Sequence, residues 1–394
     1  MKKILFLTPT LPFPPVSGGV IKSFKVVQYL SAHYQTDIAC LLKNDDPEHV
    51  TAFLKIVHPN VFINEICNIP RTAKNLLLSN LQNIPLNLYR NKSGKFKQKV
   101  EAVIHQYDVV FCDHYVMFQY IPKQYKGKII LHQHNCEYLI WKRFASLEKN
   151  LIKKIALLNQ AYHIKKYEKQ ICNRATVVLA APNDTLELEK IGVNTAKFIE
   201  TYHLGDDHLL ALPDLIFDTS QPALLYIGTL SWEANIDGLV WFYDEIWHLV
   251  KQQQPNIKLY IIGKNPDNRI KAIATADPDI ILTGFIDDVE PYFQQSRIFI
   301  TPLRFGSGIK VKVVNALYRG IPCVTTSVGA EGLKVIDGKH LFIKDNPQAY
   351  AAAINTLMQD ETLWNTLRNN ARKLAKENYT WEYVLANISK AIDE

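Results

Sequence analysis

Along the chain, short continuous apolar runs alternate with longer stretches whose apolar positions recur at helical spacing. In the first half the runs are Ile4–Thr8, Asp37–Leu42, Asp108–Cys112, Lys128–His132, Thr176–Ala180 and Lys197–Thr201. In the second they are Ala223–Gly228, Ile257–Gly263, Ile280–Gly284, Arg297–Pro302, Cys323–Ser327 and His340–Lys344. Runs of this kind fit strands buried on both faces, as in a parallel sheet covered by helices. Two such series in tandem predict an α/β protein of two doubly wound, Rossmann-like domains facing across a cleft. Between them, His203–Pro222 carries the turn-forming clusters Gly205-Asp206-Asp207 and Pro213-Asp214 and no helical stripe, so it is the expected linker. Ligands of such folds sit beyond the carboxyl ends of the strands, and the residues just past each run carry the candidate chemistry.

Composition narrows the class. With 394 residues, 47% apolar and 21% charged, the chain is globular and long enough for two or three cores. No uncharged apolar stretch approaches the roughly 20 residues of a membrane span. The run that follows Met1-Lys2-Lys3 is cut by Pro9, Pro12, Pro14 and Pro15 and reads as a first buried strand, not a leader. Six dispersed cysteines without a CxxC pair read as reduced, buried thiols of a cytosolic protein. The net charge of +7 is uneven: residues 1–210 hold 27 Lys/Arg against 17 Asp/Glu, the remainder 18 against 21. A basic first half suits an anionic partner. Nucleic acid is excluded, because the basic residues lack a recognition motif and interleaved aromatic platforms.

The strongest local signal is Thr301-Pro302-Leu303-Arg304-Phe305-Gly306-Ser307-Gly308-Ile309-Lys310, a strand ending in a glycine turn. Ile309, Val313, Val314 and Leu317 then recur at helical spacing until Gly320-Ile321-Pro322. Free amides and the helix dipole make such a turn an anion site, with phosphate the expected guest. Lys310, in the first turn, leans back toward it. Lys312 lies about 200° farther round and is expected in solvent. Asn315 returns to the side of the turn and can bond a ligand hydroxyl. Gly228, Gly263 and Gly284 each end a strand and suggest a cleft floor, with Lys264 as a further cation. Val328-Gly329-Ala330-Glu331-Gly332-Leu333 forms another glycine-rich turn, with Glu331 placed to accept sugar-type hydroxyls.

In the first half, Gly18-Gly19 joins the proline-stiffened Pro14-Pro15-Val16-Ser17 to a helix expected from about Ile21. Asp113-His114 and His132-Gln133-His134-Asn135-Cys136-Glu137 follow two central strands. Histidines there suit acid, base or substrate-orienting roles. A metal ranks below these, since no third ligand has a recognisable spacing. Trp141–Cys172 is amphipathic with eight Lys/Arg, a face that suits anionic lipid, and Leu76–Tyr89 is an apolar candidate lip on the acceptor side.

These residues resemble the retaining glycosyltransferases of the GT-B fold, family four, the large group that builds bacterial surface polysaccharides. The resemblance is densest from Leu225-Tyr226-Ile227-Gly228 through Ile262-Gly263, Thr283-Gly284 and Pro302 to Gly332. It ends with Tyr379-Thr380-Trp381-Glu382, similar to the family's final helix that crosses back to the first domain. It implies an acceptor-binding domain at 1–205, a nucleotide-sugar-binding domain at 206–376 and a returning helix at 377–394. Gly306, Ser307, Gly308 and Lys310 would hold the diphosphate, with Gly18 and Gly19 approaching from the first domain. His134 matches the family's cleft histidine, paired with Lys310 in catalysis, and Glu331 would lie nearby. Asp113, Asn135 and Glu137 would face the acceptor, a glycan or lipid-linked molecule. No cofactor or metal is implied, and the location implied is the cytoplasm, peripheral at the inner membrane face. Where the family carries two glutamates with seven residues between them, this chain has Ser307 and Asn315. Where many members place Arg and Lys after the donor domain's first strand, it reads Gly228-Thr229-Leu230-Ser231, leaving Lys310 as the substitute cation. Two rivals follow from the same residues: a non-catalytic donor-binding subunit, and a nucleotide-sugar 2-epimerase of this two-domain fold.

Overall fold

The first apolar run becomes β1 (Lys3–Thr8), which pairs in parallel with β2 (Gln35–Leu42) on one side and β4 (Val109–Asp113) on the other. In this computed structural model, which describes all residues except Val16, Ser17 and Ser307, the chain divides into two units. Met1–His203 and Glu382–Glu394 form one, Leu204–Trp381 the other.

Among the described residues the first unit is built on a parallel sheet ordered β3-β2-β1-β4-β5-β6-β7. Its other strands are β3 (Phe62–Ile66), β5 (Lys128–His132), β6 (Val177–Ala180) and β7 (Phe198–Glu200). Ile4–Leu7, Ile38–Leu41 and Val110–Cys112 are fully buried, as strands covered on both faces must be. Strand β3 was not expected: in Phe62-Ile63-Asn64-Glu65-Ile66 two adjacent polar residues break the apolar run, which an edge strand tolerates. The helix Gly18–His33 starts at the glycine pair, three residues ahead of the expected Ile21. Two helices that follow the histidine strand, Glu137–Leu147 and Leu151–Arg174, pack on each other. The closing helix Trp381–Asp393 lies against the first sheet from Glu382 onward, with Lys2 Nζ donating to Ile392 O at 2.7 Å and Tyr34 Oη to Asp393 Oδ2 at 2.9 Å.

The second unit repeats the plan as β10-β9-β8-β11-β12-β13. Its strands are β8 (Gln221–Ile227), β9 (Lys258–Ile262), β10 (Ile280–Gly284), β11 (Ser296–Thr301), β12 (Cys323–Thr325) and β13 (Phe342–Ile343). The pairs are parallel throughout. After β11 the chain turns through Gly306 and Gly308, at φ of 140° and 72°, into the helix Val311–Arg319. Val313, Val314, Ala316 and Leu317 form its buried stripe, and Gly320 at φ 77° closes it with a left-handed cap.

Candidate active site

At the carboxyl end of the first sheet, parallel register sets Asp113 of β4 directly opposite His132 of β5. Asp113 Oδ1 lies 2.8 Å from His132 Nδ1 and 2.8 Å from His134 Nε2. Burial opposes a charge on Asp113, but His134 and His132 hold its carboxyl well below the usual carboxylate range. An ionised carboxylate only accepts, so both rings donate to it. For His132, which burial keeps neutral, this fixes the tautomer. His132 keeps a bare, buried Nε2 with no hydrogen-bond partner among the described residues. His134 turns its other ring nitrogen, Nδ1, toward Gly19, where a Cβ would stand 4.0 Å from it. Burial, with Lys22 and His134 near, holds His132 well below its ordinary pKa, and the same pressure takes His114 down to about 3.

The sequence offered no third ligand to accompany His132 and His134; the fold supplies one in Asp113, with the three ligand atoms within 4.8 Å of one another. Their spacing is nevertheless that of shared protons. Ligands on a tetrahedral zinc with bonds of about 2.0–2.1 Å stand about 3.3 Å apart, against the 2.8 Å found here.

Beneath this cluster sits Lys22, fully buried in the first turn after Gly18-Gly19, its Nζ without a hydrogen-bond partner among the described residues. Burial lowers its ammonium to about 7, against the pull of Asp113 and Asp184. His203, at the end of the unit, lies 3.1 Å through Nε2 from His134 O. Behind the loop, Glu168 of the long helix accepts from Gln133 Nε2 at 2.5 Å, Glu137 N at 2.8 Å and Tyr138 N at 3.0 Å, and so caps the helix that Glu137 begins. Glu137 is buried, with burial and Asp184 raising its carboxyl to about 7, and Asn87 Nδ2 reaches its Oε2 at 3.3 Å. Asn135 is half-buried and its carbonyl accepts from Gln133 Nε2.

In the second unit, Lys310 is the residue that precedes the helix Val311–Arg319, and it is 5% exposed. Its Nζ donates to Gly308 O and stands 3.6 Å from Glu331 Oε2, so the two glycine-rich turns meet at this ammonium. Lys312 corrects the expectation of a solvated side chain. It runs under β8, donating to Tyr226 Oη at 2.7 Å and Asn235 Oδ1 at 2.8 Å, with its charge 4.4 Å from the Tyr226 ring centre. Burial, then the neighbouring Lys310, lowers it to about 7. The room for it is the missing side chain of Gly228, where a Cβ would stand 2.7 Å from Nζ. A Cβ on Gly263 would come within 1.8 Å of Gly228 O, and Gly263 N donates to Gly284 O at 2.9 Å, so the three glycines are neighbours at adjacent strand ends. Asn315 is occupied elsewhere: its Oδ1 accepts from Asp206 N at 3.1 Å and fills the space beside Gly205. Lys264 covers the Phe285 ring at 3.8 Å. Ser307 lies outside the described residues.

Residues 221–360 match the family described as Glycosyl transferases group 1. Solved structures share the whole architecture. The Anabaena protein HepE, in a complex with UDP and glucose, superposes over 100% of this chain and 99% of its own at a TM-score of 0.65 and 15% identity. Staphylococcus aureus TarM, captured with UDP and α-GlcNAc-glycerol, does so over 100% of each chain at 0.69 and 12%. The chain has the GT-B fold. Over its full length it is also similar to a 44.6 kDa protein of the cps region of Klebsiella pneumoniae, 25% identical over 99% of this chain and 100% of that one. The capsular polysaccharide biosynthesis glycosyltransferase CapM of Staphylococcus aureus is 23% identical over 54% of this chain and 53% of its own. No helix among the described residues is long and apolar enough to cross a membrane.

In this GT-B chain the fold brings together residues that the sequence singled out, Asp113 with His132 and His134 in the first unit and Lys310 with Glu331 in the second. Sequence reasoning did not single out Lys22 or His203, and it set Lys312 in solvent. A lysine three residues after the Gly18-Gly19 pair was the available signal for the first, and a histidine two residues past the run Lys197–Thr201 for the second.

Proposed function

We propose that the protein transfers a sugar, with retention at the anomeric carbon, from a nucleotide-diphosphate sugar to a glycan or lipid-linked acceptor in bacterial surface polysaccharide synthesis. The observation that carries the reading is Lys310: a nearly buried ammonium set at a glycine turn ahead of a helix N-terminus, in contact with the carboxylate of a second glycine turn. Breaking the bond between sugar and diphosphate puts negative charge on the leaving oxygen and positive charge on the ring. Oriented amides and a desolvated cation meet the first of these charges without reorganisation. In this reading the amides of Gly306 and Gly308 and the ammonium of Lys310 take the diphosphate, and Glu331 takes a sugar hydroxyl and holds Lys310 in the meantime. Gly228, Gly263 and Gly284 let the donor approach backbone, with Lys312 as a second cation under Gly228. The first unit supplies Gly18, Gly19 and His134, whose Nδ1 faces Gly19 and hydrogen-bonds a sugar or acceptor hydroxyl, with Asp113, Asn135 and Glu137 on the acceptor side. Likeness to a protein of a cps region and to a capsular polysaccharide biosynthesis glycosyltransferase supports this class of product. Peripheral contact of the basic first unit with an anionic membrane belongs to the same reading.

The test is a panel of nucleotide sugars. A true donor raises the apparent melting temperature by mass action, releases nucleotide diphosphate when acceptor is supplied, and loses both effects in Lys310→Ala. Unchanged binding and turnover in that variant refute the assignment.

A further inference from the structure

The outward face of the long helix Leu151–Arg174 is not covered by protein. Its inward face buries Leu157, Ala161, Ile164 and Ile171, an ordinary helix stripe. The opposite face repeats large apolar residues at Leu151, Ile155, Leu158 and Tyr162, with Ile152 beside them. Leu151 is 74% exposed and Ile152 81%, an exposure that water disfavours and that nothing among the described residues relieves. The helix Ala73–Leu81, joined to it by hydrogen bonds from Asn159 and Gln160 to Asn80, adds exposed Leu77 and Leu81.

Charge decides what covers this face. Three, four and seven residues past Tyr162, on the same side of the helix, come exposed Lys165, Lys166 and Lys169. Lys142 and Lys165 stand with Leu158 and Tyr162 around a cavity of about 660 Å³, and the carboxylate there, Glu187, is held by Lys190 at 2.6 Å and Tyr138 at 3.2 Å. An apolar band next to a cluster of lysines is complementary to acyl chains below a layer of phosphates, with the helix lying in the interface plane.

We infer that this face, the apolar stripe of residues 151–162 with Leu77, Leu81 and the lysines beyond Tyr162, docks the protein on a bilayer containing anionic phospholipid. The inference rests on the reading above only for the membrane contact itself. Docking also bears on the site, because Glu168 of the same helix holds the loop of Gln133 and Glu137 that carries His134.

The full chain is floated with vesicles of phosphatidylglycerol in phosphatidylcholine and with phosphatidylcholine alone. Binding is expected only to the anionic vesicles and falling with salt. The double variant Ile152→Glu, Ile155→Glu should bind at least about tenfold more weakly. Lys165→Ala, Lys166→Ala and Lys169→Ala should each cost about fivefold. Both sets keep the wild-type melting temperature and donor turnover with a water-soluble acceptor, so that loss of docking is distinct from loss of sugar transfer. Equal binding to neutral vesicles, no binding at all, or unaltered binding by both sets overturns the inference. So does a solution dimer that the isoleucine variant dissociates, which would make a second copy the occupant.

Discussion

Lys312→Met isolates the energetic consequence of burying an ammonium beneath β8. Burial and Lys310 lower Lys312 from 10.5 to about 7 in the folded protein. The unfolded chain keeps that proton up to its ordinary value. Between the two, the unfolded state binds more protons, so stability climbs as pH rises and falls as pH drops toward 7. The slope approaches about 1.36 kcal/mol per pH unit. From pH 7.5 to 9.5 the wild type should therefore gain about 2.5 kcal/mol relative to the methionine variant. At about 2–4 °C per kcal/mol for a domain of this size, the difference in melting temperature should move by about 5–10 °C. Lys22 is lowered in the same way, but it is present in both proteins and cancels. The assay is thermal unfolding of both full chains, followed by intrinsic fluorescence at matched ionic strength across that pH range. Parallel pH profiles would show that Lys312 titrates as a solvated lysine, and the packing argument around Gly228 would fail with it.

Two further substitutions probe the geometry. Asp113→Asn replaces a charged acceptor shared by two rings with a neutral amide that also donates, so both rings lose the partner that orients them; turnover should fall about 10²-fold with donor KM little changed, and the ring nitrogen shifts should report the altered hydrogen bonding. Gly263→Ala drives a Cβ to 1.8 Å from Gly228 O and should cost about 3 kcal/mol, whereas Gly94→Ala, with nothing within 4 Å of its Cβ, should change the melting temperature by less than about 0.5 kcal/mol implies.

Much of the fold was legible because parallel sheets write themselves plainly: a strand covered on both faces has no polar alternation, and its end is marked by glycine or a polar cluster. That logic located β1, β4, β5 and β11 and the chemistry beyond them. It failed at β3, where an edge position lets Asn64 and Glu65 interrupt the run. It also could not see that Asp113 stands opposite His132, since the register between two strands separated by a helical turn is a tertiary property. The metal question was judged on spacing along the chain, while the answer lay in a neighbouring strand.

The lysines show most clearly where pattern reading stops. Helical angle correctly turned Lys312 away from Lys310, but the angle gives a direction and not what waits there. Solvent was assumed; Tyr226, Asn235 and the space left by Gly228 were found. Lys22 is the matching case in the other unit: it sits beside the buried Ser23, Phe24, Val26 and Val27 of its helix, and no spacing rule singles it out. A chain selected for stability alone would place methionine or leucine at both positions, because a buried ammonium without full pairing is costly. Local rules are expected to fail where a site needs what folding disfavours. Two half-titrated lysines, one beside the Gly18-Gly19 helix start and one beneath the Gly228 strand end, each adjoin backbone that has been kept bare of side chains. That coincidence of bare backbone with desolvated cation, once in each unit, is what an anionic ligand approaching main chain requires.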